Sequence, residues 1–384
     1  MKRVLLGDVV QINPSTKVNK GQSVKFISMD KLDPFTKVPN GYEKRKFSSG
    51  TKFTNGDTLL ARITPCLENG KTAFVDFLDD LEVAAGSTEF VILRNIEGLT
   101  DPAYIYYLSI SPAFRDYAIK SMVGTSGRQR VQNDVLAKME LSLPLLDQQK
   151  KIANILGSLD EKIELNRRMN ETLEQLGQTL FRHYFIDNPE AKNWKRGVIS
   201  DLGEVVTGKT PSKKNQKFFG DEVAFLKVPD MHKTPIVIKT SDNLSLMGAE
   251  SQKAKYIPKW STCVSCIATV GVVSLAGKNM QTNQQINSIV PRKPCFKFFN
   301  YFLMRHKSDY IKTLASSGSA TPNLNMGHFS NITVAIPDRE LLKDFDIRVS
   351  HLFLQMENNL QENETLMNIR DSLLPKLISG EIEV

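Results

Sequence analysis

The chain has little of what builds disulfide frameworks or membrane spans. Its 384 residues include 4 cysteines, too few for a disulfide framework at this length, so we expect a reducing, cytoplasmic environment. The longest apolar runs, such as the one near 267–276, fall well short of the ~20 residues that cross a bilayer. The opening MKRVLLGDVV predicts a first strand rather than a signal peptide, because Gly7 and Asp8 interrupt its apolar stretch.

Signatures of catalysis are also missing. An adenine methyltransferase needs an Asn/Asp-Pro-Pro-aromatic loop, and the nearest string, Asn13-Pro14-Ser15, lacks it. No glycine-rich loop for a dinucleotide or S-adenosylmethionine follows a predicted strand, and no nuclease-type acidic cluster occurs near Asp230 or Asp338. The five histidines show no metal-ligand spacing: His183, His232, His306, His328 and His351. We therefore predict a chain that is not an enzyme and binds no metal or cofactor itself.

What the chain does have is a duplication. LGDVV from Leu6 returns as LGEVV from Leu202, and the run 152–180 returns as 345–373 at a constant offset of 193 residues. A period this long is not that of a solenoid, whose repeats span about 20–50 residues. It predicts a duplicated domain followed by a duplicated helix, with two similar working ends related by a pseudo-two-fold axis.

The net charge of +8 is distributed unevenly along the chain. Lys and Arg exceed Asp and Glu by 3 in residues 1–146 and by 12 in residues 191–337, whereas the acids are in excess by 2 in residues 147–190 and by 5 in residues 338–384. Basic surface on a compact domain attracts polyanions, and acidic helices are more typical of protein-facing surface. Because a basic composition also serves solubility, charge alone does not identify a nucleic-acid-binding protein.

The local patterns predict an α+β fold with two tandem mixed α/β domains, each followed by a long helix. Runs rich in Val and Ile, separated by turn residues, predict strands at 24–29, 57–64, 72–78, 89–93, 223–228, 262–274 and 286–291. Asp101-Pro102 predicts a helix start, because Asp caps well and proline suits the first helical position. We expect Tyr107 and its counterpart Phe302, on a second such helix, to lie in the core.

The two long helices carry a coiled-coil seam with spacings of four and three residues. Its positions are Ile152, Leu156, Leu159, Ile163, Asn166, Asn170, Leu173, Gly177 and Leu180 in the first helix, and Phe345, Val349, Leu352, Met356, Asn359, Asn363, Leu366, Arg370 and Leu373 in the second. A buried seam Asn lowers stability but fixes register. We expect the helices to pair as an antiparallel coiled coil rather than each packing only on its own domain, and about 30 residues of helix would hold the domains roughly 45 Å apart.

Glycine- and serine-rich basic loops offer candidate DNA contacts. Arg can read guanine, and Asn or Gln adenine, in the major groove, while hydroxyls and lysines contact phosphates. The candidates are Thr125, Ser126, Arg128, Gln129 and Arg130 in the first half, and Lys209, Lys213, Lys214, Gln284, Gln285, Ser319, Thr321, Asn323 and Asn325 in the second. For each of them an ordinary solvated or locally hydrogen-bonded loop side chain is the alternative.

Two motif matches are better explained without ligands. GEVVTGKT, from Gly203 to Thr210, satisfies the phosphate-loop pattern, but Pro211 follows it directly where a phosphate loop would enter a helix. We favour a basic loop near DNA phosphates over a nucleotide site. Cys263 and Cys266 stand alone within an apolar run, and we predict buried strand cysteines rather than a zinc or redox pair.

Four strings, taken in order and with their duplication, point to a family. They are LGEVVTGKTPS from Leu202, PLLDQQKKI from Pro144, NETL from Asn170 and again from Asn363, and LLPKLISGEI from Leu373. With them, essentially the whole chain resembles the specificity subunit of type I restriction–modification enzymes. One departure is that Arg339-Glu340-Leu341 replaces the Gln-Gln-Lys turn in the second copy, which bears on how even two docking surfaces would be.

The resemblance implies a non-catalytic subunit that binds a split, asymmetric site in double-stranded DNA. It implies target-recognition domains at 1–146 and 191–337, and helical spacer regions at 147–190 and 338–384. Two methyltransferase subunits would dock on the helices, with restriction–translocase subunits joining through the complex. S-adenosylmethionine, ATP and Mg²⁺ would belong to those partners. The alternatives from the residues are a stand-alone DNA-binding regulator and an ATP-dependent enzyme using Lys209 and Thr210.

Overall fold

A computed structural model describes residues 2–232, 234–316 and 322–384 of the chain. The chain forms two compact units. Unit 1 contains Met1–Leu165 and Asn363–Val384, and unit 2 contains Asn166–Glu362. The boundaries fall inside two long helices, so each unit combines a mixed α/β region with one part of each helix.

The α/β region of unit 1 extends from its first strand to the start of the first long helix. Its strands are β1 (Lys2–Leu5), β2 (Val10–Ile12), β3 (Ser23–Ile27), β4 (Glu43–Lys46), β5 (Thr51–Phe53), β6 (Thr58–Ala61), β7 (Thr72–Phe74), β8 (Ala84–Gly86), β9 (Phe90–Asn95) and β10 (Glu140–Leu143). Its helices are α1 (Leu6–Val9), α2 (Pro102–Ile110), α3 (Pro112–Lys120), α4 (Asn133–Ala137) and the long α5 (Leu146–Phe181), which continues into unit 2.

Unit 2 repeats this order with a few additions. Its strands are β11 (Lys195–Val198), β12 (Gly203–Thr207), β13 (Phe219–Leu226), β14 (Ile236–Val237), β15 (Asp242–Leu244), β16 (Tyr256–Ile257), β17 (Thr262–Ser265), β18 (Val273–Ala276), β19 (Met280–Thr282), β20 (Ile286–Pro291) and β21 (Thr333–Ile336). Its helices are α6 (Ile199–Leu202), α7 (Val228–Met231), α8 (Leu246–Glu250), α9 (Lys297–His306), α10 (Ser308–Ser316), α11 (Met326–Ser330) and the long α12 (Arg339–Ser379), which continues into unit 1.

The sheet topologies of the two units correspond. Unit 1 has sheets of order β2-β9-β6-β7 and β4-β3-β8-β5, and unit 2 has β12-β20-β17-β18-β14 and β15-β13-β19-β16. In each unit the first strand pairs with the last one in an antiparallel two-stranded sheet, β1 with β10 and β11 with β21. These mixed sheets, each followed by a long helix, confirm the predicted α+β class and its duplication.

One predicted strand is wrong. The run 262–274 folds as two antiparallel strands, β17 and β18, and not as one. The chain turns between them at Gly271, whose φ of +88° is readily adopted only by glycine. The predicted helix start is confirmed, because the Asp101 side chain accepts a hydrogen bond from the backbone N–H of Tyr104 at 2.9 Å, with Pro102 in the first turn.

Each unit has its own apolar core around its central helix. In unit 1, Tyr104, Tyr106 and Tyr107 of α2 are fully buried. In unit 2, Phe298, Phe299 and Phe302 of α9 are buried in an aromatic cluster with Phe181, Phe185, Phe345 and Phe353. Among the helices of the described ranges, none is both long enough and apolar enough to cross a membrane.

The long helices pair antiparallel in both units. In unit 2 the Asn359 amide donates to Asn170 Oδ1 at 2.8 Å, and Asn166 Nδ2 donates to Glu362 Oε2 at 2.7 Å. In unit 1, Asn363 Nδ2 donates to the carbonyl of Ile163 at 3.2 Å. Residue numbers rise along one helix as they fall along the other, which confirms the predicted antiparallel pairing.

The seam follows the predicted heptads. Ile152, Asn166, Asn170, Asn359 and Asn363 are buried. Leu159, Leu173, Leu352 and Leu366 are half-buried. The contact of Asn363 with Ile163 has its counterpart in unit 2, where Asn170 Nδ2 donates to the carbonyl of Met356 at 3.4 Å. Both members of that contact are shifted by the same 193 residues.

One seam layer differs between the units. In unit 1 the Arg370 guanidinium and the Asp160 carboxylate form a buried ion pair at 2.7 Å, and the Tyr107 hydroxyl donates to the same carboxylate at 2.7 Å. Burial and this carboxylate raise the pKa of Tyr107. The equivalent positions in unit 2, again 193 residues away, are Gly177 and Phe353.

Unit 2 fills the equivalent space with aromatic rings and without charged side chains. The Phe302 ring occupies the space beside Gly177, where an added Cβ would lie 2.6 Å from Phe302 Cζ. Phe353 packs against the same ring, with centroids 5.7 Å apart. An ionic layer in one unit therefore corresponds to an aromatic layer in the other.

The Gln-Gln-Lys turn that the second copy lacks has a structural role. Gln149 is fully buried; its side chain accepts from the Asp101 N–H at 2.9 Å and donates to the carbonyls of Leu99 and Pro144 at 3.0 and 2.9 Å. At the constant offset of 193 residues, the residues opposite Gln148, Gln149 and Lys150 are Leu341, Leu342 and Lys343, and not Arg339-Glu340-Leu341 as predicted. Leu342, opposite Gln149, is buried too. The difference between the copies at this position therefore lies inside the units rather than on their surfaces.

Candidate nucleic-acid interface

Three loops of unit 1 meet at one end of the β2-β9-β6-β7 sheet. Residues 62–71 follow β6, residues 87–89 precede β9, and residues 122–131 follow α3. The backbone joins them: Arg62 N–H donates to the carbonyl of Glu89 at 2.9 Å, Val131 N–H to that of Arg62 at 2.9 Å, and Thr64 N–H to that of Gln129 at 3.0 Å.

The third loop is a hairpin that presents polar side chains. The backbone groups of Val123 and Arg130 exchange two hydrogen bonds of 3.0 Å, and Arg128 N–H donates to the carbonyl of Thr125 at 2.9 Å. Of the predicted contacts, Thr125, Ser126 and Arg128 are exposed, and Gln129 and Arg130 are half-buried. The structure therefore brings all five predicted residues of the first half together on one hairpin.

Arg130 is held by an ion pair that the sequence did not suggest. Its Nε lies 2.9 Å from Glu89 Oε2 and its Nη2 lies 2.7 Å from Glu89 Oε1. This is the bidentate geometry typical of an arginine–carboxylate pair. Hydrogen bonding to this guanidinium lowers the pKa of Glu89. In contrast, Arg128 makes no side-chain hydrogen bond or ion pair within the described part of the chain and is the more accessible cation.

The corresponding three loops of unit 2 are joined in the same way, and we call the three loops of a unit with their joining hydrogen bonds its loop frame. Cys266 N–H donates to the carbonyl of Gln285 at 2.7 Å, Leu324 N–H to that of Cys266 at 2.9 Å, and Ala268 N–H to that of Pro322 at 3.0 Å. These three bonds are equivalent to the three that join the loops of unit 1. The isolated antiparallel bridge of Ile63 with Arg130 likewise returns as that of Ile267 with Asn323.

The matched frames show which residues correspond. The first loop is shifted by 204 residues and the third by 193, so Asn323 occupies the place of Arg130 and Gln285 that of Glu89. A charged pair in unit 1 is thus replaced by two neutral amides in unit 2. The two units therefore share the backbone arrangement at this place and differ in the side chains that it carries.

A basic loop lies beside this frame in unit 2. Lys209, Lys213 and Lys214 are exposed. The carbonyl of Lys209 accepts a 2.8 Å hydrogen bond from the buried Gln252 side chain, and its N–H donates to the carbonyl of Thr282 at 2.9 Å. The segment is therefore fixed by its backbone while its ammonium groups remain in solvent.

This loop does not have phosphate-loop geometry. Residues 203–207 of the motif form strand β12, and no helix begins at Lys209 or Thr210. Instead the Thr210 hydroxyl donates to Gln284 Oε1 at 2.5 Å, which ties the basic loop to the polar loop before β20. The predicted Gln284 and the lysines are in this way brought into one neighbourhood.

The remaining predicted contacts of the second half differ in their surroundings. Asn325 caps α11, because its Oδ1 accepts from the His328 N–H at 2.9 Å. Asn323 is exposed, and its side chain has no hydrogen-bond partner in the described ranges. Gln285 Oε1 accepts from Asn283 Nδ2 at 3.0 Å. The predicted contacts Ser319 and Thr321 lie outside the described residues.

Sequence reasoning missed Glu89, Arg62 and Gln252. Glu89 begins a predicted strand, and nothing near it in the sequence links it to Arg130, 41 residues away. Only alignment of the two halves, which puts Gln285 opposite Glu89, could have marked it.

Both cysteines are buried, as predicted, but only Cys263 lies in a strand, β17, and Cys266 follows that strand directly. Cys263 and Cys266 are buried and free, and burial raises the pKa of each thiol to about 12. Within residues 2–232, 234–316 and 322–384, no cluster of His, Cys, Asp and Glu could hold a metal ion.

Comparison with known proteins agrees with this architecture. A family model described as "Type I restriction modification DNA specificity domain" matches residues 1–175 and again residues 191–347. A Haemophilus influenzae protein named type I restriction enzyme HindI specificity subunit is 35% identical, over 85% of this chain and 86% of that protein. The type I restriction enzyme MjaIX specificity subunit of Methanocaldococcus jannaschii is 26% identical, over 73% and 69%.

The fold has a counterpart among solved structures. The type I restriction-modification system S subunit from M. genitalium matches with a TM-score of 0.54 and 15% identity, over 98% of this chain and 96% of that one. The fold and the repeated loop frame define a protein built from two similar α/β modules. This chain belongs to the type I restriction modification DNA specificity domain family.

Proposed function

We propose that the chain is the DNA-specificity subunit of a type I restriction–modification complex and binds a split, asymmetric duplex site. The observation that carries the proposal is the loop frame built twice, with Glu89 and Arg130 in one copy and Gln285 and Asn323 in the other. Each copy reads one half-site. Because the side chains differ, the two half-sites differ in sequence.

The proposed domain boundaries are those predicted from the sequence. Residues 1–146 and 191–337 are the target-recognition domains, and residues 147–190 and 338–384 are the helical spacer regions. The excess of 12 basic residues in the second domain suits contact with DNA phosphates. The chain works in the cytoplasm, where its DNA is found.

The helices supply the docking surfaces for two methyltransferase subunits. Leu176 and Ile369 occupy equivalent positions on the two long helices, and their exposed fractions are 47% and 42%. Exposed apolar residues repeated at equivalent positions suit two copies of one partner. Restriction–translocase subunits join through the complex.

Chemistry resides in the partners. The specificity chain contributes binding and orientation, while the methyltransferase subunits bring S-adenosylmethionine and the restriction subunits bring ATP and Mg²⁺. The specificity chain thereby selects the site, and the partners act on it.

The test is to express the chain together with its neighbouring genes' products and to map methylated adenines across the host DNA. Methylation confined to one split, asymmetric motif supports the proposal. Methylation that does not depend on this chain, or a palindromic motif, contradicts it. Lys209→Ala should leave the motif unchanged and weaken binding, whereas nucleotide binding abolished by that change would favour an ATP-dependent enzyme.

A further inference from the structure

The matched loop frames allow individual specificity positions to be assigned, on the basis of the proposed function. We infer that the Glu89–Arg130 pair and the Gln285/Asn323 pair are corresponding specificity-determining positions. Each controls one base pair in its own half-site, a G·C pair in the first and an A·T pair in the second.

The two pairs occupy corresponding positions in the two units. Arg130 bridges to Ile63 and Asn323 bridges to Ile267, so the two residues occupy the same place in their frames. The carbonyl of Glu89 accepts a hydrogen bond from the first loop of unit 1, and the carbonyl of Gln285 accepts the equivalent bond in unit 2. The side chains at these two positions therefore differ between the units, while the backbone that holds them is the same.

Both pairs are at least partly exposed to solvent. The side chains of Arg130 and Glu89 are 42% and 26% exposed, so the pair faces solvent at the loop end and is not part of the core. Arg130 Nη1 lies only 3.4 Å from the carbonyl of Arg128, the exposed cation of the same hairpin. In unit 2 the exposed Asn323 and the half-buried Gln285 occupy the same places.

The hydrogen-bonding groups of the two pairs match different base pairs. A guanidinium donates two hydrogen bonds to the O6 and N7 acceptors of guanine, and a carboxylate accepts from the N4 amino group of cytosine. Arginine and glutamate together therefore match the donor and acceptor pattern of a G·C pair. An amide donates to N7 and accepts from the N6 amino group of adenine, so Gln285 and Asn323 match an A·T pair.

The Glu89–Arg130 contact also orients the reader. Two hydrogen bonds hold the guanidinium plane against the carboxylate, which limits the directions that the remaining N–H groups can take. Glu89 is thus both a reading group and a positioning residue for Arg130. Asn323, with no such partner in the described ranges, is positioned by its backbone alone.

The experiment grafts one pair onto the other frame. Full-length chain carrying Glu89→Gln with Arg130→Asn, in complex with its methyltransferase partners, is offered a library of duplexes with a randomised centre, and bound sequences are read out. We expect one base pair of the first half-site to change from G·C to A·T by about tenfold or more in relative selection. The second half-site should be unchanged, and it is the internal control for folding.

The reciprocal graft, Gln285→Glu with Asn323→Arg, keeps the test decisive if the first variant does not fold. It should change one base pair of the second half-site from A·T to G·C. The matched control is Lys25→Gln with Glu82→Gln, which removes another partly buried ion pair of unit 1 whose two residues are outside the three loops. This control should keep both half-sites.

The outcomes separate the inference from the function on which it rests. If wild-type complex selects no split motif, the proposed function fails. If wild type selects a split motif but neither graft changes it, or a graft alters the other half-site, only the assignment of these positions fails. A changed base pair of another type than predicted would also overturn the assignment.

Discussion

The ionic layer of unit 1 makes a quantitative prediction about stability. Arg370 and Asp160 are 3% and 4% exposed, and the carboxylate also accepts from the buried Tyr107 hydroxyl. Removing one member of a buried ion pair costs ~3–5 kcal/mol, because the other charge stays buried without compensation. We expect Arg370→Ala to lower the free energy of unfolding of unit 1 by about that much. This is a large part of the ~5–15 kcal/mol that typically stabilises a domain.

The assay is equilibrium unfolding in urea, with hydrogen exchange of the α2 amides reporting on unit 1 separately from unit 2. The matched control is Lys120→Ala in unit 1, since Lys120 pairs with Asp116 in solvent, four residues apart on one helix, and such pairs contribute about 0.3–0.5 kcal/mol. Replacing the whole layer by Asp160→Leu, Arg370→Leu and Tyr107→Phe removes every buried charge and should recover most of the loss. If Arg370→Ala costs no more than the control, or the triple variant is as unstable as the single one, the reasoning is refuted.

Three further predictions concern DNA and partners. Arg128→Ala should weaken selection at the first half-site only, as measured with the randomised duplexes, and an equal loss at both half-sites would contradict it. Neutralising Lys213 and Lys214 to Gln should reduce the slope of log affinity against log salt by about 0.9 for each lysine that contacts a phosphate, and an unchanged slope would remove both from the interface. Leu176→Glu should cost one of two methyltransferase subunits in native mass measurements, and adding Ile369→Glu should cost the second. Retention of both subunits by the double variant would exclude this surface.

Much of the fold could be predicted because its determinants are local. A cap such as Asp101 acts on residues three positions away, and the heptad seam repeats every few residues, so helix starts and the seam follow from short-range patterns. The antiparallel pairing follows instead from the duplication, because two copies of one helix pair about a two-fold axis. The run 262–274 was misjudged because an apolar stretch gives no sign of a reversal, and the positive φ of Gly271 is a property of the folded turn.

The sequence indicates the loops of the candidate site but not how their side chains pair. Loop composition identified the hairpin of Arg128 and Arg130, because basic and small polar residues cluster there. The pairing of Arg130 with Glu89 depends on two loops meeting at a sheet end, which no local pattern encodes. Similarly, Arg370 was placed in the seam, but its partner Asp160 lies outside the heptad positions, so the ion pair could not be anticipated.

The unequal seam layers have a consequence for fragments of this chain. If two copies of the first half associated through their own helices, each would bury Asp160 opposite glycine, with no guanidinium to neutralise it. If two copies of the second half did so, the long Arg370 side chain would be directed into space that Phe302 already fills. Self-association is thus disfavoured by charge in one case and by volume in the other, and each half finds its complement in the other half of its own polypeptide.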